Sequence, residues 1–122
     1  MRKYVNILLI INMEVVMIYL KEKIFTKLKE LKQVYEKDGF IILGLFGSYA
    51  RDEADHSSDI DILYKLDTDK FLSKYSGFKA VNRLLEIKNE IADAFNKDVD
   101  IADISTLSKT GKKYILDEVV YA

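Results

Sequence analysis

The stretch FIILGLFGS at residues 40–48 decides the fold of this chain, together with SDIDILY at residues 58–64. The continuous apolar run over residues 40–46 predicts a strand that is buried on both faces. The segment 59–64 begins with an alternation of polar and apolar residues, which is typical of a half-buried strand. Two strands separated by one short connection therefore form the predicted centre of the domain.

The segments around this centre alternate between helix and strand. Gly47-Ser48 predicts a turn into a short helix that Ser48 caps and that ends near Asp52. Apolar spacing and glycine breakers predict the other elements: a helix over residues 18–37, a short helix from Thr68 to Gly77, a long helix ending near Asn96, a strand over residues 98–102 and a last helix over residues 112–120. Helices between strands indicate an α/β (α+β) domain with a small sheet covered by helices.

The apolar segment at the amino end is set apart from this domain. Residues 4–20 are mostly apolar, yet polar residues interrupt the run and no small-residue cleavage site follows it. The run is also shorter and more polar than a membrane-spanning helix requires. We predict that residues 1–16 are an extension, either an extra apolar helix or strand or a segment before a true start at Met13 or Met17. Residues 17–122 are predicted to be a single domain.

Composition narrows the chemistry of the domain. Its 122 residues carry 19 Lys and Arg against 20 Asp and Glu, a net charge of −1, so no broad basic surface for nucleic acid is expected. Cysteine is absent, which excludes disulfides, thiolate zinc sites and cysteine nucleophiles and fits a reducing, cytoplasmic compartment. His56 is the single histidine, so any metal would be held by carboxylates, which favours Mg²⁺, Mn²⁺ or Ca²⁺.

Paired aspartates lie on two of the predicted strands. Asp59 and Asp61 are two residues apart on one strand, and Asp98 and Asp100 have the same spacing on another. Side chains at this spacing leave the same face, with Cα atoms roughly 6.5–7 Å apart. If the strands are neighbours, three or four carboxylates meet, and each like-charged pair costs about 2 kcal/mol unless cations neutralise it. Such a cluster suits Mg²⁺, and Asp100 is favoured as its third member because both neighbours are apolar and would point to the core.

The turn at Gly47-Ser48 has the features of a phosphate-binding site. A buried strand turns into a helix there, so free backbone amides favour an anion, and Gly47 lets a phosphate approach the backbone closely. The Ser48 hydroxyl adds a donor, and Arg51 reaches the same anion with its guanidinium. A phosphate-binding turn followed by a carboxylate pair is the combination that a complex of nucleotide and metal requires.

These residues resemble the minimal nucleotidyltransferases, a branch of the DNA polymerase β-like superfamily. The pattern of that family is Gly-Ser, ten residues, then Asp-x-Asp, and residues 49–58 are the ten here. The motif VDI at residues 99–101 also matches, and KYILDE at residues 113–118 looks like the closing helix of the family. The resemblance runs from about Leu20 to the end and implies the nucleotidyltransferase fold, a short mixed β-sheet with helices packed against it.

The resemblance also implies roles for individual residues. It assigns catalysis and Mg²⁺ binding to three carboxylates, those of Asp59, Asp61 and Asp100, the last of which helps to activate the acceptor hydroxyl. It assigns the triphosphate of ATP to Gly47 and Ser48, with Arg51 as a further nucleotide-binding residue. The family often has glycine after this arginine, whereas this chain has Asp52.

Many single-domain members of the family are antitoxins encoded beside a helical HEPN ribonuclease toxin. This chain resembles those that silence the toxin by transferring AMP from ATP to one of its tyrosines. A chain of this size holds metal and nucleotide ligands but offers no obvious surface for an acceptor, so a partner protein is expected to bring it, in a hetero-oligomer. Two alternatives stay open: a non-catalytic antitoxin that neutralises its partner by binding, and a transferase that modifies a small-molecule hydroxyl with a separate helical subunit. Neither nucleic acid nor a membrane is an expected partner.

Overall fold

The computed structural model describes the backbone of residues 2–122 and the side chains from residue 15 onward. The elements in chain order are α1 (Arg2–Glu36), β1 (Phe40–Phe46), α2 (Gly47–Ala50), β2 (Ile60–Leu66), α3 (Thr68–Lys74), α4 (Phe78–Phe95), β3 (Val99–Asp103), a 3-10 turn (Ile104–Thr106), α5 (Lys109–Glu118) and β4 (Val120–Tyr121). Within the described part of the chain, no helix combines the length and apolar character needed to cross a membrane.

The strands form one mixed sheet in the order β3-β2-β1-β4. β1 runs antiparallel to both β2 and β4, whereas β2 and β3 are parallel. Parallel strands need a crossover connection, and α3 and α4 supply it between β2 and β3. The α/β class and the short mixed sheet predicted from the sequence are confirmed.

One face of this sheet carries the hydrophobic core. Phe40 and Ile42 of β1 and Ile60 and Ile62 of β2 are fully buried there. Helix side chains cover them: Ile24, Leu28 and Tyr35 from α1, Phe71 from α3, and Ile87 and Ile91 from α4. Since successive side chains of a strand point to opposite faces, Asp61 points away from this core.

The first strand departs in one respect from its prediction. It was expected to be buried on both faces, but Ile41, Leu43 and Phe46 are only half-buried, because the helix side chains of the core pack against the residues Phe40, Ile42 and Leu45. The strand also shifts its register between Ile42 and Gly44, where it faces β2 with one extra residue.

The amino-terminal helix starts earlier than its periodicity predicted. α1 begins at Arg2 rather than near residue 18, and neither glycine nor proline interrupts it before its end. The backbone of residues 2–16 therefore belongs to the same helix as the first predicted one. Met1 and the side chains before residue 15 lie outside the described residues.

Two predictions at element ends are wrong. Ser48 does not cap α2, because the chain turns at Gly47 itself, which has φ +72°, so the cap position falls on Phe46 and Ser48 is the second helical residue. The last helix was predicted over residues 112–120, but α5 begins three residues earlier, at Lys109, and ends at Glu118. It begins there because Ser108 caps it by accepting a hydrogen bond from the Gly111 amide at 3.0 Å. Beyond α5 the chain forms β4, which the local sequence pattern did not predict. This strand is defined by its pairing with β1.

Candidate active site

The register of the parallel strands brings two of the predicted carboxylates together. Asp61 of β2 is the partner of Asp100 on β3, and Phe46 of β1 is the partner of Asp61 on its other side. Partners in a ladder share a face, so these three side chains form a row on the face opposite to the core. Asp61 is half-buried in this row and Asp100 is exposed.

Asp59 and Asp98 each lie one residue before their strand, rather than on it as predicted, and both are exposed. Even so, Asp59 belongs to the same charged surface as Asp61. Burial raises the pKa of Asp61 above its ordinary value, and the carboxylates of Asp100 and Asp59 raise it further, while Arg51 opposes them. The carboxylates of Asp59 and Asp100, near the starts of β2 and β3, therefore both repel the charged form of Asp61.

This surface fits a divalent cation by its chemistry. Carboxylate oxygens are the ligands that Mg²⁺ prefers, and a cation would relieve the repulsion that Asp61 experiences. The carboxylates are not gathered around one point, and among the residues described no group of three or more acidic, His or Cys side chains is arranged to hold an ion. Asp100 instead turns toward α4, where its Oδ1 lies 4.0 Å from Nζ of Lys88.

Gly47 fits closely against Asp61. Its φ of +72° is a left-handed conformation that favours glycine, and a Cβ at this position would overlap the Asp61 carboxylate. The backbone of the predicted phosphate-binding turn therefore lies directly beside one of the predicted metal ligands. Ser48 follows it, half-buried in α2.

Arg51 lies at the end of α2 and binds two carboxylates. Its Nε donates to Oε2 of Glu53 at 3.0 Å, and its Nη1 donates to Oε2 of Glu118 at 3.0 Å. The other oxygen of Glu118, Oε1, accepts the backbone amide of Gly47 at 2.9 Å. Sequence reasoning did not single out Glu118. It lies in the segment that resembles the closing helix of the family, but nothing local separates it from other acidic residues.

Asp52, the departure from the family pattern, has a backbone reason. Its φ is +58°, a left-handed conformation that suits glycine and that Asp adopts more readily than most residues. Its carboxylate forms an ion pair with Lys21 of α1 and is largely exposed. Asp52 therefore directs its charge toward α1.

Fold and site together define a nucleotidyltransferase. The family described as polymerase beta, nucleotidyltransferase matches residues 26–121, and the chain belongs to that family. Similar relatives indicate which kind of nucleotidyltransferase it is. Protein adenylyltransferase MntA of Thermococcus cleftensis is 33% identical over 90 residues, which cover 74% of this chain and 82% of that protein. A candidate protein adenylyltransferase of Methanocaldococcus jannaschii is 33% identical over 84 residues, 69% of this chain and 81% of that protein. The chain is thus an enzyme that groups with the protein adenylyltransferases.

Solved structures confirm the predicted fold. A candidate minimal nucleotidyltransferase matches with a TM-score of 0.65 at 21% identity, over 82% of this chain and 93% of that one. A crystal structure of a toxin-antitoxin with AMP-PNP matches with a TM-score of 0.55 at 22% identity, over 82% of this chain and 70% of that one.

Proposed function

We propose that this chain is a Mg²⁺-dependent protein adenylyltransferase that moves AMP from ATP to a tyrosine of a helical HEPN-type toxin and thereby acts as its antitoxin. The observation that carries the proposal is the pairing of Asp61 with Asp100 beside the Gly47 turn, because a carboxylate pair, a backbone turn and a guanidinium meet there. The relatives described as protein adenylyltransferases support the reaction, and the similar toxin-antitoxin structure with AMP-PNP supports the partner and the nucleotide.

The proposed reaction is an in-line displacement at the α-phosphorus of ATP. The tyrosine oxygen forms the new bond to phosphorus, the bond to pyrophosphate breaks, and Asp100 helps to take the phenolic proton. Asp59, Asp61 and Asp100 would hold Mg²⁺, which when bound neutralises charge on the phosphates. The Gly47-Ser48 turn and Arg51 bind and orient the triphosphate, so these residues act by positioning and electrostatics.

The exposure of Asp100 favours an acceptor that another protein carries. Its side chain is 65% exposed, so a tyrosine on the surface of a partner could reach it without entering a pocket of this chain. We expect the two proteins to form a hetero-oligomer in the cytoplasm, where ATP is available.

Labelled ATP tests the proposal directly. The purified chain is incubated with ATP labelled at the α-phosphate, Mg²⁺ and the product of the neighbouring gene, which the proposal expects to be a HEPN-type toxin. We expect label on the toxin, no label in EDTA, and a loss of at least about 100-fold in Asp100→Asn with ATP affinity largely kept, since catalytic charge is removed but the phosphate donors remain. Asp98→Asn is the matched control, because Asp98 is an exposed carboxylate two residues away, and it should transfer normally.

The other outcomes identify the alternatives. Toxin inhibition that persists without label in the Asp59→Ala/Asp61→Ala variant would favour neutralisation by binding. Label on a small-molecule hydroxyl, with none on protein, would favour the small-molecule transferase. Normal turnover in Asp100→Asn would show that another carboxylate completes the site.

A further inference from the structure

Glu118 accepts hydrogen bonds from the two groups that the proposed function assigns to phosphate binding. One of its carboxylate oxygens accepts the Gly47 amide at 2.9 Å, and the other accepts Nη1 of Arg51 at 3.0 Å. The Glu118 side chain is 24% exposed, so its hydrogen bond with the Gly47 amide is partly buried, whereas its ion pair with Arg51 faces solvent. A carboxylate that bridges an amide and a guanidinium makes the contacts that a phosphate would make with the same two donors.

The negative charge of Glu118 also opposes an incoming anion. It adds to the repulsion at Asp61, where Asp59 and Asp100 already act. A triphosphate that approached the Gly47 turn with Glu118 still in position would meet this charge and would find the Gly47 amide and Nη1 of Arg51 engaged.

We propose that Glu118 is a positioning residue that sets the affinity for nucleotide: it holds the Gly47 amide and the Arg51 guanidinium until a phosphate of ATP replaces it. This inference rests on the proposed function, because it takes ATP as the ligand of the turn. The exchange links nucleotide binding to the carboxyl end of the chain, since Glu118 ends α5 and is separated from β4 by Val119 alone.

Glu53 provides a matched control. Its carboxylate accepts Nε of the same Arg51 at 3.0 Å, but the amide of Gly47 is bonded to Glu118. Glu53→Gln therefore removes one negative charge and one ion pair of Arg51 and leaves the contact at the turn intact. Glu118→Gln removes the same charge from the turn itself.

The test measures ATP binding with Mg²⁺ and without an acceptor, by calorimetry on the full chain. In Glu118→Gln we expect the Kd for ATP to fall about tenfold and the KM for ATP in toxin labelling to fall with it, while the melting temperature changes little. Glu118→Ala should change the Kd in the same direction. In Glu53→Gln the Kd should stay within about twofold of wild type.

The result that overturns the inference is weaker or unchanged ATP binding in both Glu118 variants, which would mean that Glu118 only braces the turn. An equal gain in Glu53→Gln would also overturn it, because a general loss of negative charge would then suffice. If wild type itself binds no ATP, the proposed function fails. If wild type binds ATP and labels the toxin but the Glu118 variants gain no affinity, this inference alone fails.

Discussion

At the residue scale, the proposed site depends on the absence of a side chain at Gly47. Its left-handed backbone and its contact with Asp61 both require glycine, so one residue sets the turn and the position of the neighbouring carboxylate. The spacing between the Gly-Ser and Asp-x-Asp motifs thus has a physical meaning here, because the strands on either side of the connection bring these two residues together.

Gly47→Ala should therefore nearly abolish AMP transfer while leaving the domain folded. We expect AMP transfer to fall at least about 100-fold, because the new methyl group displaces Asp61, and the free energy of unfolding to fall by about 1–3 kcal/mol. The measurements are toxin labelling and urea denaturation. Gly77→Ala is the control: Gly77 also has a positive φ, but nothing lies within 4 Å of its added Cβ. An equal loss of transfer in Gly77→Ala would refute the explanation.

Asp38 is the residue for which we predict a pH-dependent contribution to stability. Its carboxylate accepts hydrogen bonds from Lys74 at 2.8 Å, Tyr75 at 3.0 Å and Arg83 at 3.4 Å. The hydrogen bond from Lys74 is the main reason that the pKa of Asp38 lies below its ordinary 3.8, against the opposing effect of burial.

Because the folded pKa of Asp38 is lower than the unfolded one, its stabilisation is complete above the unfolded value and is lost as the pH falls through the folded value. Asp38→Asn should thus lower the free energy of unfolding by about 1 kcal/mol at pH 7, and the difference from wild type should shrink below about pH 4. Urea denaturation at pH 7 and pH 3 checks this. A difference that is equal at both pH values would contradict it.

At the element scale, the two-residue strand β4 influences the proposed site through its pairing with β1. Gly44 and Leu45 of β1 pair with its two residues, and the Ala122 amide donates to the carbonyl of Leu43 at 2.9 Å. This pairing fixes the end of α5, and with it Glu118, beside the Gly47 turn.

Gly44→Ala should detach this strand. Its added Cβ would overlap the carbonyl of Val120 and lie 2.9 Å from the Tyr121 Cα, so β4 has to move. We expect the free energy of unfolding to fall by about 1–3 kcal/mol and amide exchange to rise over residues 119–122. Gly111→Ala is the control, because its Cβ meets only the Ser108 hydroxyl at 3.1 Å and alanine favours helix. Unchanged exchange in Gly44→Ala would refute this account of β4.

At the scale of the whole molecule, the side chains of α1 that the structure describes, from residue 15 onward, join the core from Ile24. Ile24 is its first fully described core residue, whereas Val15, Val16, Ile18 and Tyr19 are each more than half exposed. The domain boundary predicted at residue 17 is compatible with this distribution of burial and remains a prediction.

Removal of residues 1–16 should accordingly leave the domain folded. We expect residues 17–122 to melt within about 3 °C of the full chain and to label the toxin as well as it does. A shorter form, residues 26–122, should lose more stability because it also lacks Ile24, whose burial is worth about 1.5–3 kcal/mol. Thermal denaturation of the three forms checks this, and a large loss of stability on removing residues 1–16 would show that the whole helix belongs to the fold.

The sequence alone was enough to predict the fold class and most of the local elements. Apolar periodicity located β1, β2, β3 and α4 to within two residues or so, because it follows from which side of a helix or strand is buried. The motifs also predicted Gly47, Asp61 and Asp100 as site residues; the structure brings the three close together, and their roles stay predictions.

Only the tertiary structure decided which distant segments meet. The register that pairs Asp61 with Asp100, the addition of β4 to β1 and the hydrogen bonds from Gly47 and Arg51 to Glu118 join residues far apart in the chain. Such contacts depend on how the helices and strands pack together. The local pattern of side chains in one segment does not indicate which distant segment it will contact. Glu118 therefore escaped prediction, although its segment was recognised, because its significance comes from the turn that it contacts.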